Sequence, residues 1–432
     1  MLKRKIIGVL EKWHASERNK ALILTGARQV GKTTAIRQFA GTHYKHFVEI
    51  NFVKSPQAKL AFEGELSTSE IVTNLSAMGF GPFVKNETLV FFDEIQECPN
   101  ARTAIKFLLE EHWYDFIESG SLLGINDKPV LSYPVGFEME VPVFPLDFEE
   151  FLWARGISDE VIAVLKNCYK KCVPVPALIH QQISKYYREY LLVGGMPEVV
   201  QTFVNEPDFS KVLAVQKSIL STYRSDISHY AGNMQTLVKR VFDSLASELA
   251  KQDKRFVLAN LEKGASLRKY EDPTQWLVDS GIANYSFNTT AFELPFAAFE
   301  NRRLYKLYMV DTGLLSALLL KNMQFEVLNG NLEINEGAIT ENFIACVLSA
   351  KQMELHYYDR KSKRELDFIV SEANKITIIE VKSGENYKKH VSLDSALKNF
   401  PDKINRAIVF SKYNVEVADK IYYLPLYMAM FL

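Results

Sequence analysis

The stretch Gly26-Ala27-Arg28-Gln29-Val30-Gly31-Lys32-Thr33-Thr34 constrains this chain more than any other. It follows the apolar run Ala21-Leu22-Ile23-Leu24-Thr25 and precedes Ala35-Ile36-Arg37-Gln38-Phe39, whose spacing is helical. A strand, a glycine-bounded loop, Gly-Lys-Thr and a helix, in that order, make a loop that cradles nucleotide phosphates. The two glycines let the backbone turn sharply and come close to an anion. The loop amides and the N-terminus of the new helix then point at that anion. Lys32 is placed to reach the β- and γ-phosphates, and Thr33 to give its hydroxyl to Mg²⁺. The stretch reads as an ATP or GTP site.

Such a loop needs carboxylates opposite it, and the chain offers a pair. Thr88-Leu89-Val90-Phe91-Phe92-Asp93-Glu94 is a continuous apolar run with two acids at its end, the pattern of a strand buried on both faces. Ligands of open α/β sheets gather at that edge. Asp93 reads as the Walker B carboxylate that orients Mg²⁺, and Glu94 as the residue that polarises the attacking water. Taken alone, the two acids also fit, less well, as the cap of a helix at Ile95. Asp115-Phe116-Ile117-Glu118-Ser119-Gly120-Ser121 reads as a further strand. At its end either Ser119 or Ser121 is a candidate γ-phosphate sensor, or the segment is simply a Ser-Gly turn.

At 432 residues the chain exceeds one compact core and suggests roughly three domains. Its 47% hydrophobic and 24% charged residues describe a globular protein, not a disordered one. A formal net charge of −1 provides no global field toward nucleic acid or anionic membrane, so any such binding must be local. The basic, then apolar start from Met1 to Leu10 is interrupted by Glu11-Lys12-Trp13-His14 before it reaches signal length, and the run near Leu314–Leu320 is too short to span a bilayer. A cytoplasmic location is expected. Cys168 and Cys172 are spaced i, i+4, but no further ligands accompany them, so Cys98, Cys168, Cys172 and Cys346 read as reduced structural thiols.

Strand–helix alternation up to Asp147 predicts a parallel α/β sheet over 1–147. Residues 148–232 read as helical, with breaks at Pro174, Pro176 and Gly194-Gly195. From about Asn233, Leu237, Val241, Phe242, Leu245 and Leu249 form an amphipathic stripe. Short helices over 256–261 and 266–279 follow it. Residues 282–287 and 304–308 then have the pattern of a strand pair, so that 233–320 reads as a winged helix. Within 240–270, seven basic residues (Arg240, Lys251, Lys254, Arg255, Lys263, Arg268, Lys269) outnumber four acidic ones. That net +3 suits phosphate contact or a solvated face. In 321–432, Glu341 lies on an expected helix, Asp367 within an apolar strand, and Glu380 and Lys382 on one face of another. An unpaired carboxylate in an apolar strand is costly, and burying acids there makes sense if they hold a metal ion.

Two resemblances arise from these residues. Gly26–Thr33, Phe92-Asp93-Glu94-Ile95-Gln96, Ser119-Gly120-Ser121 and the segment Phe144-Pro145-Leu146-Asp147-Phe148-Glu149-Glu150-Phe151-Leu152 occur in order. With Tyr190-Leu191-Leu192-Val193-Gly194-Gly195-Met196-Pro197 and Tyr223-Arg224-Ser225-Asp226-Ile227, they resemble the large prokaryotic AAA-type ATPase family with a C-terminal domain of unknown function. Glu341, Asp367, Glu380 and Lys382 resemble the PD-(D/E)XK nuclease core, where two acids bind Mg²⁺ and a lysine stabilises developing charge. The resemblances imply an α/β fold: a P-loop (AAA+) domain with a helical lid, a winged helix, and a nuclease-like α/β domain. They imply adenine over guanine. They also imply ATP with Mg²⁺ as the ligands at Gly26–Thr34, Asp93 and Glu94, and a further Mg²⁺ at Asp367 and Glu380. The implied partners are DNA, a protein or further copies of the chain. Many relatives carry Gly-Arg where this chain has Gly136-Phe137, so an arginine finger falls to Arg28, Arg37 or Arg224. The leading expectation is ATP hydrolysis whose state controls the C-terminal half. The alternatives are an ATP-switched endonuclease and a nucleotide-regulated interaction protein.

Overall fold

The computed structural model describes residues 2–16, 19–120, 134, 136–320, 336–359 and 365–432. The chain forms two compact units, Lys3–Phe144 with Asp279–Gly281, and Pro145–Val278 with Ile282–Leu432.

In the first unit, β1 (Ala21–Thr25), β2 (His46–Asn51), β3 (Thr88–Asp93), β4 (Asp115–Ser119) and β5 (Glu138–Pro142) form a sheet in the order β2-β3-β4-β1-β5. Every pairing is parallel. The apolar runs in β1 and β3 are buried along their whole length, as a sheet covered on both faces requires. Because all strands run the same way, their C-terminal ends share one edge. Register sets Asn51 opposite Asp93, Asp93 opposite Ser119, and Ser119 opposite Leu24. Ile50, Val90, Phe92, Ile105, Leu108 and Phe116 belong to the core on one side of this sheet.

The second unit opens with helices at Phe148–Ala154, Asp159–Lys171, Ala177–Val193, Pro197–Asn205, Phe209–Tyr230 and Gln235–Leu249. The first starts from a capping box: Asp147 accepts from the Glu150 N–H at 2.9 Å, and Glu150 accepts from the Asp147 N–H at 3.0 Å. An eight-stranded mixed sheet follows. Its strands are β6 (Ala283–Thr289), β7 (Glu300–Met309), β8 (His356–Asp359), β9 (Glu365–Glu372), β10 (Lys375–Lys382), β11 (Ile404–Ser411), β12 (Glu416–Ala418) and β13 (Ile421–Pro425), ordered β12-β13-β11-β10-β9-β8-β6-β7.

This topology corrects the winged-helix reading of 233–320. The hairpin β6–β7 forms as expected, but β6 also pairs with β8, so the hairpin is the edge of the same sheet that carries Asp367 and Glu380. Of the three helices expected before it, Gln235–Leu249 and Leu267–Asp279 are present, while 256–261 contains only a 3-10 turn at Leu258–Asn260. The helical region expected as a lid is likewise built into this unit. Phe343, on helix Glu336–Ala350, lies 5.0 Å from the Tyr187 ring, 5.9 Å from that of Tyr190 and 6.5 Å from that of Phe148. The Gly194-Gly195 turn passes so close to neighbouring backbone that a Cβ at Gly195 would meet the Leu146 carbonyl oxygen at 2.0 Å.

Candidate nucleotide site and C-terminal acidic centre

The phosphate loop joins β1 to helix Lys32–His43. Gly26 has φ +142°, and a Cβ there would meet the Val143 carbonyl oxygen at 2.2 Å. Gly31 caps the helix in a left-handed conformation, φ 93°. Gln29, at φ 67°, is the loop's left-handed non-glycine residue. Arg4 braces the loop from the N-terminal side, donating to the Val30 carbonyl at 3.0 Å and the Phe144 carbonyl at 2.8 Å. Lys32 curls over its own loop, with Nζ 2.9 Å from the carbonyls of both Gly26 and Ala27. Burial pushes its amine down to about 8, against the opposing pull of Glu94 and Asp93. A bound triphosphate would add negative charge beside Lys32 and favour its charged form.

Asp93 stands at the C-terminal end of β3, with three neutral donors around it. Ser119 Oγ donates at 2.5 Å and Thr33 Oγ1 at 3.4 Å to one oxygen, and Asn51 Nδ2 donates at 2.8 Å to the other. Hydroxyls and amides orient a carboxylate without cancelling its charge, so Asp93 keeps its attraction for a cation. The donor set therefore fits Mg²⁺, which Thr33 and Asp93 would hold. Glu94, at φ 55° and ψ 48°, turns out of the strand and receives Gln96 Nε2 at 2.5 Å.

The loop, Asp93 and Glu94 lie together at one sheet edge. Ser119 takes the position at the strand end, and Ser121 lies outside the described residues. Asn51 and Arg4 were not foreseen; the polar end of β2 was the available signal for Asn51. Of the arginine-finger candidates, Arg37 is engaged by Glu49 through bonds of 2.6 and 2.7 Å, and Arg224 bonds Asp243 at 2.9 and 3.0 Å.

The family models divide the chain in three. Residues 18–152 match an AAA domain. This segment is an AAA domain. Two domains of unknown function follow, DUF8612 over residues 184–324 and DUF4143 over 336–428. Similar solved structures include the Orc1 protein of Aeropyrum pernix in complex with DNA, at 12% identity and a TM-score of 0.28, covering 75% of this chain and 92% of that one. The RuvB Holliday junction branch migration motor of Thermotoga maritima also aligns, at 12% identity and a TM-score of 0.29, with 68% and 91% covered. Superpositions this loose carry no functional inference. No curated protein matches. No helix among the described residues is long and apolar enough to cross a membrane.

The acids of the second unit meet a different environment from those of the AAA domain. Glu341 is buried and accepts from Lys254, from Tyr308 and, at 3.0 Å, from Lys306. Lys306, fully buried on β7, also pairs with Glu365 at 2.6 Å. Burial opposes the charge on Glu341, but Lys254 and Lys306 outweigh it and hold the carboxyl down to about 2. Asp367 accepts the Val381 N–H at 2.7 Å, and its carboxyl is raised by burial and by the charge of Glu341. Glu380 pairs with Lys382 at 2.7 Å, while its other oxygen is buried without a hydrogen-bond partner among the described residues. Burial and the charge of Asp367 raise Glu380 to about 8. The four expected residues are therefore neighbours, and Lys254 and Lys306 join them. Among the described residues no three His, Cys, Asp or Glu side chains form a group able to hold a metal ion. Two carboxylates with water and substrate oxygens remain a workable donor set for Mg²⁺, and the orphaned Glu380 oxygen fits it.

Five of the seven basic residues counted in 240–270 are committed to acids: Arg240 and Lys269 to Glu262, Lys251 to Glu248, Lys254 to Glu341, and Arg255 to Asp253. Glu262, Glu248 and Asp253 are already counted in the net +3 of that stretch, and the pairs that draw on it are Lys254 with Glu341 and Arg255 with Asp359. The cysteines are free thiols.

Proposed function

We propose that this chain binds ATP with Mg²⁺, hydrolyses it slowly, and uses its nucleotide state to control the second unit. The observation that carries the reading is the convergence of Lys32, Thr33, Asp93 and Glu94 on one sheet edge, with Asp93 hydrogen-bonded by neutral donors among the described residues. The loop amides and Lys32 bind the phosphates, and Thr33 and Asp93 hold the Mg²⁺ that offsets phosphate charge when bound. Glu94 takes the proton of the attacking water. The test is phosphate release by purified protein with Mg²⁺. Lys32→Ala and Glu94→Gln should each reduce it by roughly 10²-fold or more. Full turnover by Lys32→Ala would sink the reading.

A second reading, an ATP-switched endonuclease at Asp367, Glu380 and Lys382, is favoured by the orphaned oxygen of Glu380. Incubation of DNA or RNA with Mg²⁺ or Mn²⁺, with and without ATP, tests it. Cleavage by wild type that Asp367→Ala abolishes is the expected result, and equal cleavage by that variant rejects it. In both readings DNA, a protein or another copy of the chain is the partner of the second unit.

A further inference from the structure

Gln96 has no task in the chemistry described so far, yet its side chain is arranged around Glu94. Glu94 adopts a left-handed backbone conformation, which a non-glycine residue takes at some cost. The turn that follows is tightly fixed. The Glu97 N–H donates to the Glu94 carbonyl at 2.9 Å, the Cys98 N–H donates to the Ile95 carbonyl at 2.9 Å, and Ile95 is wholly buried. On this turn Gln96 is only 8% exposed. Its Nε2 donates to Glu94 Oε2 at 2.5 Å, and its Oε1 is buried with no partner among the described residues. A buried amide left half satisfied costs about 1–3 kcal/mol. Its orientation therefore serves Glu94 rather than its own hydrogen bonding. Flipping the amide would set oxygen against oxygen.

We propose that Gln96 is a positioning residue for ATP hydrolysis, holding the Glu94 carboxylate in the orientation from which it receives the proton of the attacking water. The inference rests on the reading of Glu94 as the proton acceptor. In the step concerned, the water oxygen bonds to the γ-phosphorus and the bond from that phosphorus to the β–γ bridging oxygen breaks. Glu94 takes the water proton and later returns it to solvent, so that ADP and inorganic phosphate are released. A neutral amide suits this role, because it restrains the carboxylate without removing the charge that attracts the proton. Lysine in its place would bind the carboxylate more tightly and disable it.

The experiment measures kcat and KM for Mg²⁺–ATP, and affinity for a fluorescent ATP analogue, in wild type, Gln96→Ala, Gln96→Glu, Glu94→Gln and the double variant Gln96→Ala/Glu94→Gln. Gln96→Ala should lower kcat at least tenfold with KM and nucleotide affinity within about twofold of wild type. Gln96→Glu, nearly isosteric but repelling Glu94, should lower kcat at least as much, which keeps the test valid if the alanine variant folds poorly. Adding Gln96→Ala to Glu94→Gln should change single-turnover hydrolysis less than twofold, since the residue to be positioned is already disabled. Wild-type kcat in Gln96→Ala and Gln96→Glu, with Glu94→Gln inactive, overturns this inference and leaves the ATPase reading intact. An equal loss from Gln96→Ala with and without Glu94 also overturns it, because it marks a merely structural role. Wild-type turnover by Glu94→Gln overturns both.

Discussion

The two acidic centres of this molecule solve the same electrostatic problem in opposite ways. In the AAA domain, the hydrogen bonds to Asp93 and Glu94 come from uncharged groups, Asn51, Ser119 and Thr33 on the first and Gln96 on the second, while Lys32 acts on both through its charge alone. In the second unit, Glu341 faces Lys254 and Lys306, and Glu380 faces Lys382. Neutral donors fix geometry and leave negative charge for an incoming cation or proton. Lysines supply the compensation internally and leave less for a ligand. The first centre is built to need a partner. The second is already largely paired, and Glu380, with one oxygen unmatched, is where it still resembles the first.

This contrast makes a direct prediction. Lys306→Met leaves a fully buried carboxylate with one cation fewer and should destabilise the second unit by about 3–5 kcal/mol, the usual cost of breaking a buried pair from one side. Asn51→Ala removes a neutral donor from Asp93 and should cost about 1 kcal/mol. Denaturant unfolding of both variants decides it. Equal costs would mean that the lysines orient Glu341 no differently from the way Asn51 orients Asp93.

The difference also explains what was legible in the sequence. The phosphate loop could be read because its chemistry is local. Gly26, Gly31, Lys32 and Thr33 act within nine consecutive residues, and each is demanded by backbone geometry or by the anion. Asp93 and Glu94 could be read from the end of an apolar strand. Asn51 could not, because an asparagine at a strand end has many uses and only the β2–β3 register sets it against Asp93. At the second centre the spacing of Glu341, Asp367, Glu380 and Lys382 was visible, but their counter-ions were not. Lys306 reaches Glu341 only because β6–β7 joins the large sheet through β8, a choice of pairing partner that alternation within a strand does not encode. The same ambiguity produced the winged-helix reading, since a free wing and the edge hairpin of a larger sheet share one local pattern. Lys254 lies in the basic stretch of the sequence, yet its ammonium pairs with the buried Glu341.

Two glycines sharpen the comparison at the level of the backbone. Gly26 and Gly195 each sit where a Cβ would lie 2.2 and 2.0 Å from a carbonyl oxygen, that of Val143 and of Leu146 respectively. Gly195→Ala should destabilise the second unit by roughly 2–3 kcal/mol through overpacking. Gly26→Ala carries the same clash plus a left-handed backbone, and should in addition weaken ATP binding at least tenfold, because it displaces the loop carbonyl that Lys32 grips. Thermal unfolding with and without nucleotide separates the effects. A Gly26→Ala protein that still binds ATP normally would show that the loop tolerates displacement and that its glycine serves folding alone.

The smallest effect concerns protons at Lys32. Burial lowers its amine to about 8 in the nucleotide-free protein. Bound triphosphate favours the charged form and must raise that value. Below about pH 7 the lysine is charged in both states, so its contribution to affinity does not vary. Above pH 8 the free protein loses the proton while the complex keeps it. ATP affinity should then fall about fivefold between pH 8 and pH 9, with proton uptake on binding. Calorimetry in buffers of different ionisation enthalpy measures that uptake directly. Lys32→Arg, charged throughout the range, should abolish both the uptake and the fall, whatever it costs in absolute affinity. If the pH dependence survives in Lys32→Arg, the titrating group lies elsewhere, and the depressed amine is not what the loop offers the phosphates.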